Sequence, residues 1–371
     1  MTADITLRGP DDVVAALPYQ LGYHPRDSVV AVSLRGRRVG LVARCDIPPA
    51  GHERQVVSTL IGPLLRDGAT SVIVVGFEDV PDASHPLVIA LVERLELTGI
   101  DVTDVAVVRD GRRYSPVCSD SCCPPEGVEL THPADVPCVA EFVALGRAPL
   151  RSRDAVEDLV SPEPWRCAGV AAAIESRSRM PRRRRRSAAA WRAVLAVGER
   201  GRRPPDSRVV ADVALGLADV PWRDGLIAWL VPSVLPTDAV DARVLAQLRS
   251  SLPVWGGMGL TLGVRAPAPA READLDAVAA ERDELLQRLL ALSRSVPDEC
   301  AVEAAAVCTV AAHVAWVGGD GAIARAAVDR AVRLDPGYRL AELLRHLVDT
   351  GLRLPSLTDD GHVPGAMGQA G

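Results

Sequence analysis

Ser71-Val-Ile-Val-Val-Gly76 is an unbroken apolar run rather than an alternating one. A strand with one wet face alternates; an unbroken run belongs to a strand covered on both faces, as in a partly parallel sheet. Its surroundings agree. Residues 84–97 carry a helical pattern ended by Gly99, and 101–109 form a second strand. After the Asp110-Gly111 turn, residues 112–116 pair back on that strand. Strand–helix–strand order with short connections predicts a sheet covered by helices and joined by right-handed crossovers.

Upstream, 28–34 and 39–47 are β-branched runs around the turn Arg35-Gly36-Arg37, which predicts a hairpin. Residues 52–66 then place Val56, Val57, Leu60, Ile61, Leu64 and Leu65 at helical spacing, with Gly68 as the cap. From Asp135 onward the pattern changes to helices alone, over 135–146, 152–159, 165–174, 187–200, 206–217 and 238–249, while 226–231 fits either type. Residues 271–294 form a charged helix whose stripe (Leu275, Val278, Leu285, Leu289, Leu292) is interrupted by Arg282. Helices at 302–316 and 322–334 flank Gly318-Gly-Asp-Gly321, and Ala312, Ala324, Ala327, Ala331 and Pro336 fall near the positions of a tetratricopeptide hairpin. Only one copy is present where a solenoid needs about three, so a single docked hairpin is expected.

The expected fold class is therefore α/β: an N-terminal mixed or partly parallel sheet with covering helices, then an all-helical C-terminal half ending in a tetratricopeptide-like hairpin. The expected plan is an α/β domain over 1–133, a helical region over 134–252, a Gly/Pro-rich linker over 253–270, a second helical region over 271–355 and a disordered tail over 356–371.

Composition narrows the function classes. Of 371 residues 48% are hydrophobic but only 3% aromatic, so the cores are built from Ala, Val and Leu. All 42 basic residues are arginine. Without lysine, a P-loop of the usual Lys-Ser/Thr ending and a lysine Schiff base are both excluded; Trp255-Gly-Gly-Met-Gly259 resembles a phosphate loop only in its glycines. A Gly-x-Ser-x-Gly elbow and a His-Glu-x-x-His motif are also missing. A net charge of -6 disfavours nucleic acid as a partner of the whole surface. No stretch approaches the roughly 18 uncharged apolar residues of a membrane span, and the N-terminus lacks a basic and then apolar leader. The cytoplasm is the expected location, with no membrane partner.

Three groups of residues offer chemistry. His24, Asp27 and Ser28 precede the first strand, and Arg44 and Asp46 share one face near the end of the second. If these ends meet, Arg44 is placed to hold an anion and His24 or Asp27 to move protons. The competing reading is a structural knot in which Arg44 pairs with Asp27 or Asp46 and Ser28 caps a turn. Second, Cys118, Cys122 or Cys123, His132 and Cys138 offer four zinc ligands. Their spacing lacks the paired two-residue gap, so no metal or cofactor is assigned and buried thiols are expected. Third, the run Arg182, Arg183, Arg184, Arg185 and Arg186 could neutralise phosphates, with Trp191 as the one candidate stacker.

Four ordered motifs carry a resemblance. They are Leu17-Pro-Tyr-Gln-Leu-Gly-Tyr-His-Pro-Arg-Asp-Ser-Val-Val30, Cys122-Cys-Pro-Pro-Glu-Gly127, Val220-Pro-Trp-Arg-Asp224, and Gly318-Gly-Asp-Gly-Ala322 with Leu334-Asp-Pro-Gly-Tyr338. From about Leu7 to Pro355 the chain resembles the actinobacterial domain-of-unknown-function family 4192. The resemblance implies no activity, cofactor or partner, and no functional residue is carried over. The expectation is a non-enzymatic protein that acts through protein–protein contacts, in a regulatory role. The alternatives are a small-ligand site or enzyme at His24, Asp27, Arg44 and Asp46, and nucleic-acid association through 182–186.

Overall fold

The computed structural model describes residues 5, 7–118, 120–196, 205–252 and 272–352. The expected linker over 253–270, the tail over 356–371 and the glycine-rich stretch 255–259 lie outside the described residues, as do the side chains of Leu275 and Val278.

Six strands form one mixed sheet: β1 (Ser28–Arg35), β2 (Arg38–Asp46), β3 (Ser71–Phe77), β4 (Asp101–Arg109), β5 (Arg112–Tyr114) and β6 (Val128–Glu129), in the order β2-β1-β3-β4-β5-β6. The Ser71–Phe77 strand lies between an antiparallel neighbour, β1, and a parallel one, β4. Alternation along β1 sorts its side chains between two layers. Val29 and Ala31 pack under α2 (Glu53–Arg66) and α3 (His85–Leu97), while Val30 and Val32 face α1 (Pro10–Leu21).

Helix α1 was not expected. Pro18 inside it reads as a breaker, whereas Pro10 in the first turn, Val13 and Val14 packed on the sheet and Gly22 at φ +81 set its bounds. The 17–28 segment is therefore the end of a helix followed by a loop.

Because β1 runs against β3, its first residues lie beside the last residues of both flanking strands: Ser28 is opposite Asp46 on one side and Phe77 on the other. Phe77 is in turn paired with Val108 near the end of β4. One sheet edge thus collects the start of β1 and the carboxyl ends of β2, β3 and β4.

The remaining helices are α4 (Pro137–Ala144), α5 (Arg153–Asp158), α6 (Pro164–Cys167), α7 (Val170–Ser178), α8 (Arg183–Val194), α9 (Ser207–Leu217), α10 (Val220–Leu230), α11 (Ala242–Ser251), α12 (Glu272–Ser295), α13 (Ala301–Gly318), α14 (Gly321–Leu334) and α15 (Arg339–Asp349). Helix α4 packs against α1, with Tyr19 and Phe142 stacked at 5.2 Å between centroids. A second core runs from Val160 to Leu344, so helices on both sides of 253–270 share it. The single helix expected over 165–174 is two, α6 and α7, because Gly169 sits at φ +75. The ambiguous 226–231 run is helical as far as Leu230, in a helix started by Asp219, whose carboxylate accepts the Trp222 N–H at 3.3 Å.

The expected hairpin is α13 and α14, turned by Gly319 at φ +82, with α15 as an unforeseen third helix. Every residue from Ala304 to Ala315 is buried. With 18 residues and one carboxylate, Glu303, α13 has the length and composition of a membrane span, which corrects the expectation that no stretch comes near one. Some 67% of it is buried within the protein, as befits a core helix of Ala and Val.

Arg330 of α14, 2% exposed, gathers this core. It donates to the Ser293 carbonyl at 2.8 Å, the Val296 carbonyl at 2.7 Å, the Asp298 carboxylate at 2.7 Å and the Val160 carbonyl. Removing the guanidinium takes a donor from three buried carbonyls, of which Val160 keeps the Ser293 hydroxyl at 3.0 Å, while Asp298, 43% exposed, stays open to water. Losing a hydrogen bond from a charged group costs about 1.5–3 kcal/mol. Arg330→Ala is expected to lower unfolding stability by at least about that amount in urea; a midpoint equal to wild type would show that the guanidinium holds nothing.

Candidate functional site

The sheet edge described above is where open α/β sheets place their ligands, and it collects the first candidate group. The His24 main-chain N–H donates to the Leu150 carbonyl at 2.9 Å, while its imidazole is exposed. Asp27 takes a left-handed φ of +39, which lets its carboxylate accept the Asp79 N–H at 3.2 Å and its carbonyl accept the Ile47 N–H at 3.1 Å. Arg44 pairs with Asp46 at 2.6 Å, donates to the Arg26 carbonyl at 3.1 Å and lies 6.0 Å from the Tyr23 ring centroid. Asp46 also receives Arg153 at 2.8 Å. The Ser28 hydroxyl caps no turn; it is fully buried and has no hydrogen-bond partner.

These residues share a place and do different jobs. Tyr23 forms a parallel bridge with Leu150, so the segment leaving the α/β lobe is fastened where Arg153 meets Asp46. The Arg44 charge is neutralised by a carboxylate 2.6 Å away. Behind it, the Cys45 thiol is pushed up to about 11 by burial, which keeps it protonated and unreactive.

The dominant polar group of this edge is one the sequence reading missed. Glu78 follows β3 directly and is 4% exposed. It accepts the Ser84 hydroxyl at 2.6 Å, the Ser84 N–H at 2.8 Å, the Asp82 N–H at 3.0 Å and the Arg109 guanidinium at 2.8 Å. Arg109 in turn lies 4.5 Å over the Tyr114 ring. Burial raises the Glu78 carboxyl, but the donors of Ser84, Asp82 and Arg109 outweigh it and hold the group below its ordinary value. An ionised carboxylate with its lone pairs taken is a poor general base. It binds the β3–α3 loop. The available signal was position: Glu78 directly follows β3 and Arg109 ends β4, the two strands of the parallel pair.

Beside this edge, Ile47, Pro48, Glu53 and Pro86 line a hollow of 190 Å³, below the ~300 Å³ at which sites for drug-sized ligands begin.

The arginine run is divided. Arg184 makes two bonds to Asp219 at 2.7 and 2.9 Å, and Arg186 joins Arg177 on the buried carboxylate of Asp212. Burial raises the Asp212 carboxyl, yet hydrogen bonds from these two arginines outweigh it and leave it below its ordinary value. Arg182, Arg183 and Arg185 are exposed. Trp191 is fully buried and presents no face for a base to stack on, which corrects its candidacy. Arg185 and Arg192 line a groove of 510 Å³ with Gln247, Ser250 and Ser251.

The four-ligand zinc set does not assemble. His132 accepts the Ala134 N–H at 3.3 Å, and the Cys138 thiol is buried against the Asp12 carbonyl at 3.7 Å. Cys118, Cys122 and Cys123 do converge, with their sulfurs within 4.8 Å of one another. Cys122 is exposed and the other two half-buried, so the expected burial of these thiols is overturned.

With the fold and these contacts established, comparison places the chain. The family model of Domain of unknown function (DUF4192) matches residues 10–250 and 264–354. The chain belongs to this family. No curated protein and no solved structure matches it. In this DUF4192 chain, two of the quoted motifs meet: Arg223 donates to the Tyr338 hydroxyl at 2.9 Å and lies 5.3 Å from the centre of its ring.

Glu78→Gln puts an amide donor against Ser84 or Arg109 and is expected to cost about 1.5–3 kcal/mol at neutral pH. Because the folded carboxyl is held low, this contribution is complete above the ordinary glutamate value of about 4.3 and is lost as pH falls through the lowered folded value. The variant's loss, followed by urea titration from pH 7 to pH 3, is expected to shrink toward acid; a pH-independent loss would show that the carboxylate charge plays no part.

Proposed function

We propose that this protein carries out no chemistry of its own and acts in the cytoplasm through contact with another protein, using Trp165 as the anchor. The observation that carries the reading is the placement of that side chain. Trp165 is 63% exposed, whereas Trp191, Trp222 and Trp229 are buried. Its ring is held rather than loose. The Arg166 guanidinium lies 4.3 Å over it, Arg166 is paired with Glu163 at 2.6 Å, and Glu163 is tied to Arg294 of α12 at 2.9 Å. Tryptophan and arginine dominate the energetics of protein interfaces, and a side chain fixed beforehand loses little entropy when a partner closes on it. The engaged state of Glu78, Arg44 and Asp46 supports the non-enzymatic half of the reading, since these charges already serve one another.

Capture from native cytosol with the tagged full chain is expected to recover a partner. Trp165→Ala is expected to weaken that complex by at least ~2 kcal/mol, about 30-fold, with an unchanged melting temperature. Repeated capture of no partner, or a variant that binds like wild type, would overturn the reading.

The groove at Arg185 and Arg192 favours a second reading, association with a polyanion. Among the described residues neither arginine has a carboxylate partner. Binding of a single-stranded oligonucleotide is expected to fall steeply between 50 and 200 mM salt, with a shallower slope in Arg185→Ala/Arg192→Ala. A salt-independent affinity would exclude phosphate contacts.

A further inference from the structure

We propose that Cys118, Cys122 and Cys123 form a three-thiolate site for a thiophilic d10 metal ion, Zn(II) or Cu(I). The Cys118 and Cys122 sulfurs are 4.0 Å apart and those of Cys122 and Cys123 are 3.9 Å apart. Zinc–sulfur bonds of about 2.3 Å place tetrahedral ligand sulfurs roughly 3.8 Å apart, and a trigonal arrangement places them roughly 4.0 Å apart. Both pairs that include Cys122 stand at that spacing, and the third pair, Cys118 and Cys123, lies within 4.8 Å.

Hydrogen bonds tie the described residues of the loop that carries them. It joins β5 to β6, whose pairing of Arg113 with Val128 and Arg112 with Glu129 closes both ends. Arg112 donates to the carbonyls of Glu126 and Gly127, each at 2.8 Å. Gly127, at φ +73, lies so close to the Tyr114 ring that a Cβ there would stand 2.7 Å from it. Two turns shape residues 120–127, the first of them carrying Cys122 and Cys123: Cys123 N–H to the Asp120 carbonyl at 2.8 Å and Gly127 N–H to the Pro124 carbonyl at 2.8 Å. The Cys118 N–H donates to the Ser115 hydroxyl at 3.2 Å.

Exposure sets Cys122 apart from the other cysteines. Cys138 and Cys308 are buried and fill core space, which accounts for a small apolar side chain at those positions. Cys122 is exposed, so packing does not account for it. Soft thiolates select zinc and Cu(I) over hard cations. On binding, each thiol gives its proton to solvent and its sulfur lone pair to the metal: three protons leave, three metal–sulfur bonds form, and no electron changes hands. Three protein ligands satisfy trigonal Cu(I) and leave zinc one position for water.

The test uses the full chain, reduced and stripped with a chelator. Zn(II) is titrated against a chromophoric competitor, and Cu(I) is titrated without oxygen. One equivalent of one of them is expected to bind, and where that ion is Zn(II), Co(II) in its place is expected to show thiolate-to-cobalt charge-transfer bands. Cys122→Ser is expected to weaken binding by more than the ~10–100-fold cost of losing an outer-shell partner, while Cys167→Ser leaves it unchanged. In the unmodified chain, bound metal is expected to protect Cys118, Cys122 and Cys123 from alkylation, read by mass spectrometry. Absence of stoichiometric binding by the reduced chain, equal alkylation with and without metal, or binding that survives Cys122→Ser would overturn the proposal.

Discussion

The guanidinium of Arg330 is the interaction on which the helical half depends. Its donors reach the end of α12 through Ser293 and Val296, the following loop through Asp298, and the chain beyond α5 through Val160. A core of Ala and Val lets helices approach closely but gives few directional contacts. Arginine supplies them, because a planar fork of five donors can satisfy several carbonyls and a carboxylate at once. Around that joint, α13 is buried along twelve consecutive residues from Ala304 to Ala315.

The same device recurs at several places where segments distant in sequence meet. Arg109 closes on Glu78, Arg177 and Arg186 on Asp212, Arg184 on Asp219, and Arg223 on Tyr338. Two of the joins between the α/β part and the helical part are of this kind. Arg153 meets Asp46 beside the Tyr23–Leu150 bridge, and Arg66 of α2 donates to the Thr350 carbonyl just after α15. Gly351 lies against Pro63 and Leu41 at the second join, at φ +64 and with 2.9 Å to the nearest proline carbon from an added Cβ. The sheet edge that α/β proteins commonly give to a ligand is here occupied by fastenings.

What the sequence made legible was local. The strand at 71–76, the 28–47 hairpin, the helices at 52–66 and 84–97 and the 302–334 helical pair are each written in one run of residues with its own turn signal. What it hid was of two kinds. Pro18 disguised α1, and Gly169 divided a pattern that looked continuous. The rest depended on partners far away in the chain. Glu78 and Arg109 are 31 residues apart, Arg184 and Asp219 are 35 apart, and Arg330 is 170 from Val160. No spacing rule announces such pairs. The cysteine cluster was half legible: the residues were evident, but only the closed loop shows that three sulfurs converge while His132 and Cys138 turn elsewhere.

If Arg330 and the shared core make the helices from Val160 to Leu344 one cooperative body, helices far apart in sequence must open together. Native-state hydrogen exchange on the full chain reads this directly. Amides at the centres of α9 and α13, on opposite sides of 253–270, are expected to exchange with one opening free energy, equal to that of global unfolding. An α9 that opens at a distinctly lower free energy while α13 stays protected would contradict a single body.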